Sequence, residues 1–139
     1  MKTLTMEEEA LLREKAREAR DHSYSPYSHY AVGAALLTEE GRIYQGCNIE
    51  NAGFTPTICA ERTAFFKAVF EGERHFKAIA ITSTGEDIGY PCGVCRQVMA
   101  EFCGGDFIIL CENRDGSRQD RSLFSELLPH AFGPGAFTH

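Results

Sequence analysis

The sequence contains no apolar run long enough to cross a bilayer, because its longest run, from Ala31 to Leu37, is short and includes Gly33. Its first residues mix acidic and basic side chains and lack the apolar core of a secretory signal. Internal repeats, low-complexity tracts and Pro/Ser-rich linkers are also missing. We therefore expect a cytoplasmic protein in which residues 1–139 form one domain.

A basic excess, which proteins that bind nucleic-acid polymers usually show, is missing as well. The chain has 14 Lys and Arg against 20 Asp and Glu, a net charge of −6. These counts favour a small-molecule partner over a nucleic-acid polymer or a membrane. Six cysteines without a secretory signal argue against a disulfide scaffold. In a reducing compartment, clustered cysteines are typical of metal ligands or catalytic groups.

The hydrophobic spacing, the capping residues and the breakers predict a helix, a hairpin, and then helices alternating with strands. This order indicates an α/β layered fold in which a hairpin precedes a parallel section. The predicted helices are Met6–Arg20, Cys59–Glu71, Cys92–Phe102 and a short Leu123–Leu128 capped by Ser122, and the predicted strands are Val32–Thr38, Ile43–Cys47, Phe76–Thr82 and Phe107–Cys111.

Two short segments, Cys59-Ala60-Glu61 and Pro91-Cys92-Gly93-Val94-Cys95, each open a predicted helix. Cys92 and Cys95 are three residues apart, so both sulfurs point to one side of a first helical turn. Helix N-termini carry partial positive charge and stabilise thiolate over thiol. Two such helix starts facing each other would place three thiolates around one point, which suits tetrahedral zinc.

Three protein ligands leave a fourth zinc position open, and an open position is typical of a catalytic rather than a structural zinc. Glu61 is too close to Cys59 in sequence to be a second ligand from the same turn, and we expect it to move protons. Arg62 lies one turn beyond Cys59, where its guanidinium can donate hydrogen bonds to a thiolate. The pattern matches the zinc deaminase signature, in which a Glu near the first ligand is the acid and base.

Other interpretations of these cysteines stay open. Cys92 and Cys95 alone are compatible with a thioredoxin-like redox pair, although this explains neither Cys59 nor Glu61. A closed structural zinc site would need a fourth ligand, which Cys103 or a histidine could supply. We expect the remaining thiols of Cys47, Cys103 and Cys111 to be buried and inert. The five histidines have no ligand spacing and are expected at the surface or in packing contacts.

Most of the chain is similar to the small cytidine deaminases that act on free nucleosides. The similarity lies in four blocks in the family's order: SPYSHYAVGAALL (25–37), GCNIENAGFTPTICAERTAFFKAV (46–69), PCGVCRQVMAEF (91–102) and LLPHAFGP (127–134). The resemblance implies a three-layer α/β/α sandwich around a five-stranded mixed sheet. It also implies a homotetramer whose active sites are shared between subunits.

The resemblance implies a role for each matching residue. Zinc would be held by Cys59, Cys92 and Cys95, with Glu61 as the proton shuttle. Asn48 and Glu50 would hold the ribose hydroxyls. In a shared site, Phe132 would pack on the base from a neighbouring subunit, and Ala52 to Phe54 would border the 5′ end of the sugar.

Two residues depart from the family pattern near the substrate. Tyr30 stands where family members commonly have Phe against the pyrimidine or the sugar. Phe54 stands where many have Tyr, so that a hydroxyl contact is lost. These departures bear on substrate preference and leave the chemistry unchanged.

The implied function is zinc-dependent hydrolytic deamination of cytidine and 2′-deoxycytidine to uridine and 2′-deoxyuridine, a reaction of pyrimidine salvage that releases ammonia. One alternative is a deaminase of another cytosine-bearing nucleoside, such as a nucleoside antibiotic. Another is a non-catalytic binding module that zinc stabilises. Editing of polynucleotides fits poorly with the acidic charge and the short chain.

Overall fold

The computed structural model describes residues 2–137, in which a five-stranded mixed sheet carries helices on both faces. Within these residues, no helix is both long enough and apolar enough to span a bilayer. The helices are α1 (Met6–Arg20), α2 (Ala60–Phe70), α3 (Gly93–Phe102) and α4 (Phe124–Leu127), followed by a 3₁₀ turn at Pro134–Phe137. The strands are β1 (Val32–Thr38), β2 (Ile43–Cys47), β3 (Phe76–Ser83), β4 (Ile108–Glu112) and β5 (Gln119–Leu123).

The strands are arranged in the order β2-β1-β3-β4-β5. β1 pairs antiparallel with β2 and with β3, and β4 pairs antiparallel with β5. Only β3 and β4 run parallel, and α3 forms the crossover between them. The predicted hairpin followed by a parallel section is therefore confirmed.

Alternate residues of the central strands face opposite sides of the sheet, which creates two hydrophobic cores. The core beneath α1 contains Leu12 and Ala16 of the helix, packed on residues of β1, β3 and β4. The opposite core includes Phe65 of α2 and Met99 of α3. Ala35 faces the first core and Ala34 the second, so the chain builds the α/β/α sandwich that the family resemblance implied.

The sequence prediction was wrong at the C-terminal edge of the sheet. Ser122 does not cap a helix, because it lies in β5 opposite Ile109, and the cap of the short α4 is Leu123. The segment Gln119–Leu123 is polar apart from its last residue, so it carries no apolar alternation that would predict a strand. The five strands that the family resemblance implied are nevertheless present.

Two glycines allow the helices to lie against the β1–β2 hairpin with their backbones in contact. A Cβ atom at Gly46 would lie 2.4 Å from the carbonyl oxygen of Ala60 and 2.5 Å from the amide nitrogen of Ala64, both in α2. A Cβ atom at Gly33 would lie 2.1 Å from the carbonyl oxygen of Ala16 in α1. Because no side chain fits at either position, the two glycines set the distance between each helix and the sheet.

A buried ion cluster connects α1 to the end of β4. Glu112 is only 1% exposed, and its carboxylate accepts hydrogen bonds from Arg17 Nε at 2.7 Å and Arg17 Nη2 at 2.8 Å. Arg13 Nη1 lies 3.5 Å from the same carboxylate and also donates to the Cys111 carbonyl. Because a buried carboxylate without partners is costly, this cluster keeps the helix and the strand end together.

We expect Gly46→Ala to destabilise the protein by about 3 kcal/mol or more, since backbone atoms of α2 cannot yield to the added methyl group as a side chain would. Gly135→Ala is the matched control, because a Cβ atom there would have no heavy atom within 4 Å. Urea unfolding of both variants measures the difference. Equal free energies of unfolding would contradict the inferred role of the close contact.

Candidate metal centre and the adjoining cavity

The N-termini of α2 and α3 bring three cysteines together. Cys59 is the N-cap residue of α2, Cys92 is the N-cap residue of α3, and Cys95 lies in the first turn of α3. The sulfur of Cys92 lies 3.7 Å from that of Cys59 and 3.6 Å from that of Cys95. All three sulfurs lie within 4.8 Å of one another. The predicted meeting of the two helix starts is confirmed.

These distances fit a single tetrahedral zinc ion. Two thiolates bound to one zinc at about 2.3 Å lie about 3.8 Å apart, close to the two measured separations. Among residues 2–137, no other group of His, Cys, Asp and Glu has ligand atoms arranged for a metal. Cys95 is buried, Cys59 is half-buried and Cys92 is exposed, so the cluster has a protein side and a solvent side. The donor set is therefore suited to zinc with three protein ligands.

The cluster is surrounded by groups that favour thiolates. Hydrogen bonds from Cys95 and from Arg62 lower the pKa of the Cys59 thiol to about 5. Arg62 Nη2 lies 3.3 Å from the Cys59 sulfur, as predicted from its position one turn along α2. The pKa of Cys95 is raised, because it donates to Cys59 and is buried. A metal ion that binds all three sulfurs would displace the protons of their thiols.

Glu61 lies in the first turn of α2 beside the cluster and is 4% exposed. Burial raises the pKa of its carboxyl to about 7, and the nearby Cys59 thiolate adds to the increase. A hydrogen bond from its own backbone N–H partly opposes this effect. At neutral pH the carboxyl can therefore both accept and release a proton.

A cavity of about 220 Å³ opens directly over the cluster. Its walls include five of the residues predicted for the site, namely Cys59, Cys92, Glu61, Asn48 and Tyr30. They also include residues that the sequence analysis did not select: Val32, Thr57, Ile58, Ala60, Ile81, Ser83, Gly89 and Tyr90. Of these, Ile58, Ala60 and Tyr90 carried a usable signal, because they lie within or directly before the two cysteine segments.

Asn48 is held in the cavity wall by bonds at both ends of its amide. Its Oδ1 accepts from Ser23 Oγ and from the Val32 amide, the latter at 2.9 Å. Its Nδ2 donates to the Tyr30 carbonyl at 2.8 Å. An amide has two N–H bonds, so one donor is left for a ligand while the orientation of the side chain is already fixed.

Glu50 lies just outside this cavity, in the loop that follows β2. Its carboxylate accepts from the Tyr27 amide at 3.0 Å, the Ser28 amide at 3.1 Å and the Ser28 hydroxyl. The hydrogen bond from the Ser28 hydroxyl is the main cause that lowers the pKa of Glu50. The carboxylate therefore stays ionised and joins the loop that carries Tyr30 to the loop that follows Asn48.

Three predicted site residues are not brought to the cavity by this chain alone. Ala52 is exposed, and Phe54 is 75% exposed with a positive φ of 61°. Phe132 is 61% exposed and packs edge-on against Phe137, with ring centroids 5.9 Å apart. The rings of Phe54 and Phe132 face solvent.

The structure gives the Tyr30 hydroxyl a place that the sequence did not predict. The ring lies over a loop with two glycines, and a Cβ atom at Gly89 would come within 2.6 Å of the hydroxyl oxygen. A Cβ atom at Gly85 would lie 3.0 Å from the Tyr30 ring. The larger side chain at position 30 is thus accommodated by the absence of side chains opposite it.

The other thiols and the histidines lie apart from the metal cluster. Cys111 is buried as predicted, whereas Cys47 and Cys103 are only half-buried. Burial raises the pKa of Cys103 well above its usual range and that of Cys111 to about 12, so both stay as thiols at neutral pH. The exposed histidines are His22, His29, His75 and His130, and His139 lies outside the described residues.

Comparison with known proteins adds a family to this geometry. The family model described as the cytidine and deoxycytidylate deaminase zinc-binding region matches residues 6–111. A cytidine deaminase of Sporosarcina psychrophila is 50% identical over 127 residues, which cover 91% of this chain and 92% of the relative. One from Halalkalibacterium halodurans is 48% identical over 127 residues, covering 91% and 95%.

Solved structures agree in fold. The crystal structure of cytidine deaminase from Burkholderia pseudomallei superposes with a TM-score of 0.85 at 41% identity, covering 88% of this chain and 98% of that one. The enzyme from Mycobacterium tuberculosis gives a TM-score of 0.75 at 36% identity, covering 89% and 96%. The similarity therefore extends through both helices that carry the cysteines.

We expect Ala substitution of Cys59, Cys92 or Cys95 to reduce the zinc content of the purified protein from about one equivalent per chain to a small fraction, because a three-ligand site loses a third of its donors. Cys103→Ala is the matched control and should keep its zinc. Metal analysis after dialysis measures both. Loss of zinc from the Cys103 variant would instead favour a closed site with four cysteine ligands.

Proposed function

Because the chain belongs to the cytidine and deoxycytidylate deaminase family, we propose that it hydrolyses cytidine and 2′-deoxycytidine to the corresponding uridines, with release of ammonia. The observation that carries the proposal is a buried carboxyl with a raised pKa, that of Glu61, beside three converging cysteine sulfurs at a small cavity. A structural zinc site has no need of such a carboxyl.

Zinc held by Cys59, Cys92 and Cys95 supplies, when bound, a water whose pKa is lowered toward about 7 and which is the nucleophile. Glu61 takes one proton from the attacking water and delivers it to N3 of the cytosine, then takes the second proton from the new hydroxyl on C4 and delivers it to the departing amino group. C4 gains an oxygen and loses a nitrogen, so water and cytidine become uridine and ammonia. A carboxyl with a pKa of about 7 suits both directions of transfer.

Residues around the cavity bind and orient the nucleoside in this proposal. Asn48 has one amide N–H left to donate to a ribose hydroxyl. Tyr30 borders the pyrimidine or the sugar with its ring. Glu50 accepts from a ribose hydroxyl while its other contacts hold the two loops together. Arg62 offsets the negative charge of the three thiolates through its bond to Cys59.

We also propose that the active protein is a homotetramer in which neighbouring subunits complete each site. Support comes from large apolar side chains left exposed by the isolated chain, including Phe66 and Phe70 on α2, the latter 86% exposed. Phe54 and Phe132, both predicted substrate neighbours, are exposed in the same way. One catalytic domain over residues 1–139 and a cytoplasmic location are part of the same proposal.

Glu61→Gln keeps the shape of the side chain and removes its proton-transfer ability, so we expect kcat for cytidine to fall by about 10²–10⁴-fold or more. The loss of cytosine absorbance in the ultraviolet measures the rate. Glu71→Gln, at the exposed C-terminal end of the same helix, is the matched control and should keep full activity.

Zinc content is measured on the same preparations, because the comparison holds only if the variants keep the metal. No turnover of cytidine by the zinc-loaded parent protein would contradict the proposed substrate and favour a modified cytosine nucleoside. Equal turnover by the parent and Glu61→Gln would contradict the role of Glu61.

Subunit mixing tests the shared site. Phe132→Ala should weaken nucleoside binding by about 1–3 kcal/mol, the range measured for base–aromatic stacking. Mixed assemblies of Phe132→Ala and Glu61→Gln chains should recover activity, because some sites combine an intact Glu61 with an intact Phe132. A fully active monomer in light scattering, or mixing without any recovery, would contradict the proposal.

A further inference from the structure

The loop between β3 and α3, residues 84–91, forms one wall of the cavity and leads directly into the metal cluster. Gly89 and Tyr90 line the cavity, and the loop ends next to Cys92. The Tyr30 ring lies against Gly85 and Gly89 from the other side. The position of this loop therefore determines the width of the cavity.

Residues 84–91 are attached mainly to the β4–β5 hairpin, and α3 holds only their last residue, where Arg96 Nε donates to the Pro91 carbonyl at 2.7 Å. Besides a longer ion pair between Arg114 Nη2 and Glu86 Oε1 at 3.9 Å, the hairpin holds the first half of the loop through two backbone carbonyls and a second ion pair. These contacts are Arg114 N to Gly85 O at 3.0 Å, Asn113 Nδ2 to Glu86 O at 2.9 Å, and Arg118 Nη1 to Asp87 Oδ1 at 2.6 Å. They hold the part of the loop that is remote from the cavity.

At the cavity itself, one side-chain bond makes the connection. The Tyr90 hydroxyl donates to Asp120 Oδ2 of β5 at 2.5 Å. The Asp120 carboxylate also accepts from Ser122 Oγ at 3.3 Å, and its backbone carbonyl accepts from Arg13 Nη2 at 3.4 Å. Asp120 is thus a fixed anchor, whereas the Tyr90 ring is 44% exposed and has little packing to hold it.

We propose that Tyr90 is a positioning residue for nucleoside binding, whose hydrogen bond to Asp120 holds the wall formed by Gly89 and Tyr90 at the distance that the substrate requires. This inference rests on the proposed deamination of cytidine and adds a residue to it. Glu61 and the three cysteines lie at the N-termini of α2 and α3, and the proposed proton transfers do not use the Tyr90 hydroxyl.

A loosened wall changes affinity more than turnover. If only a fraction of molecules has the wall in place, the apparent dissociation constant rises in inverse proportion to that fraction. Once the nucleoside is bound, the wall is in place and the chemical step proceeds at its usual rate. Loss of the bond should therefore raise KM and leave kcat and zinc content nearly unchanged.

The experiment compares Tyr90→Phe, Asp120→Ala and the double variant. Each single variant should raise KM for cytidine by about 3- to 10-fold, the range for one hydrogen bond to a partly exposed carboxylate. The double variant should be no worse than the more affected single variant, because both remove the same bond. Calorimetric titration with uridine should show the same loss of affinity without turnover.

Tyr44→Phe is the matched control. The Tyr44 hydroxyl also donates to a carboxylate, that of Glu73 at 2.8 Å, and this pair lies away from the cavity. The Tyr44→Phe variant should lose about as much free energy of unfolding as Tyr90→Phe and keep the KM of the parent for cytidine. A parent enzyme that deaminates cytidine, combined with an unchanged KM in Tyr90→Phe or with additive effects in the double variant, would overturn this inference alone. A parent that neither converts cytidine nor binds uridine would overturn it together with the proposed function.

Discussion

The backbone contact between α2 and β2 at Gly46 is the constraint on which the rest of the site depends. Atoms of Ala60 and Ala64 lie closer than 2.6 Å to the position that a Cβ atom of residue 46 would occupy. The helix α2 is therefore held at a fixed height above the sheet. That height sets the position of its first turn, which carries Cys59, Glu61 and Arg62. The other two cysteines come from the start of α3, which packs in the same core through Met99. The 3.7 Å between the sulfurs of Cys59 and Cys92 is therefore a consequence of how the two helices pack on one face of the sheet, whereas the 3.6 Å between Cys92 and Cys95 is set within the start of α3.

The site concentrates negative charge, and its positive partners are few and directional. Two helix N-termini point at the sulfurs and offer partial positive charge. Arg62 adds one full charge through its bond to Cys59. Glu61 receives no comparable partner, and burial leaves its carboxyl with a pKa of about 7. Within the first turn of α2, the pKa of Cys59 is therefore lowered and the pKa of Glu61 is raised. Such a separation assigns ligand and proton-transfer roles to neighbouring groups of one helix turn.

The sequence predicted correctly the features that depend on residues close together in the chain. Cys92 and Cys95 were placed correctly, because a three-residue spacing at a helix start fixes two side chains relative to each other. Strand β5 was missed, because Gln119–Leu123 lies at the sheet edge and its four polar residues give no alternation of apolar and polar side chains in the sequence. Ser83 was missed because it lines the cavity from the end of β3, outside both cysteine segments, and the bond of Tyr90 was missed because its partner Asp120 is distant in sequence. Phe54 and Phe132 were selected by family resemblance alone, and no contact within the chain brings them to the cavity.

The β4–β5 hairpin, whose second strand the sequence analysis did not predict, connects α1 to residues 84–91. Glu112 joins the end of β4 to Arg17 and Arg13 of α1 by a buried ion cluster. From the same hairpin, Asn113 and Asp120 hold residues 84–91. An edge strand with polar side chains is suited to this task, because each outward residue is free to bond to a neighbouring loop instead of filling a core. The cavity wall is therefore supported from the β4–β5 edge of the sheet, while the metal ligands are supported by the first turns of α2 and α3. Substrate fit and metal binding consequently rest on different parts of the fold, and substitutions in the hairpin can alter the first without disturbing the second.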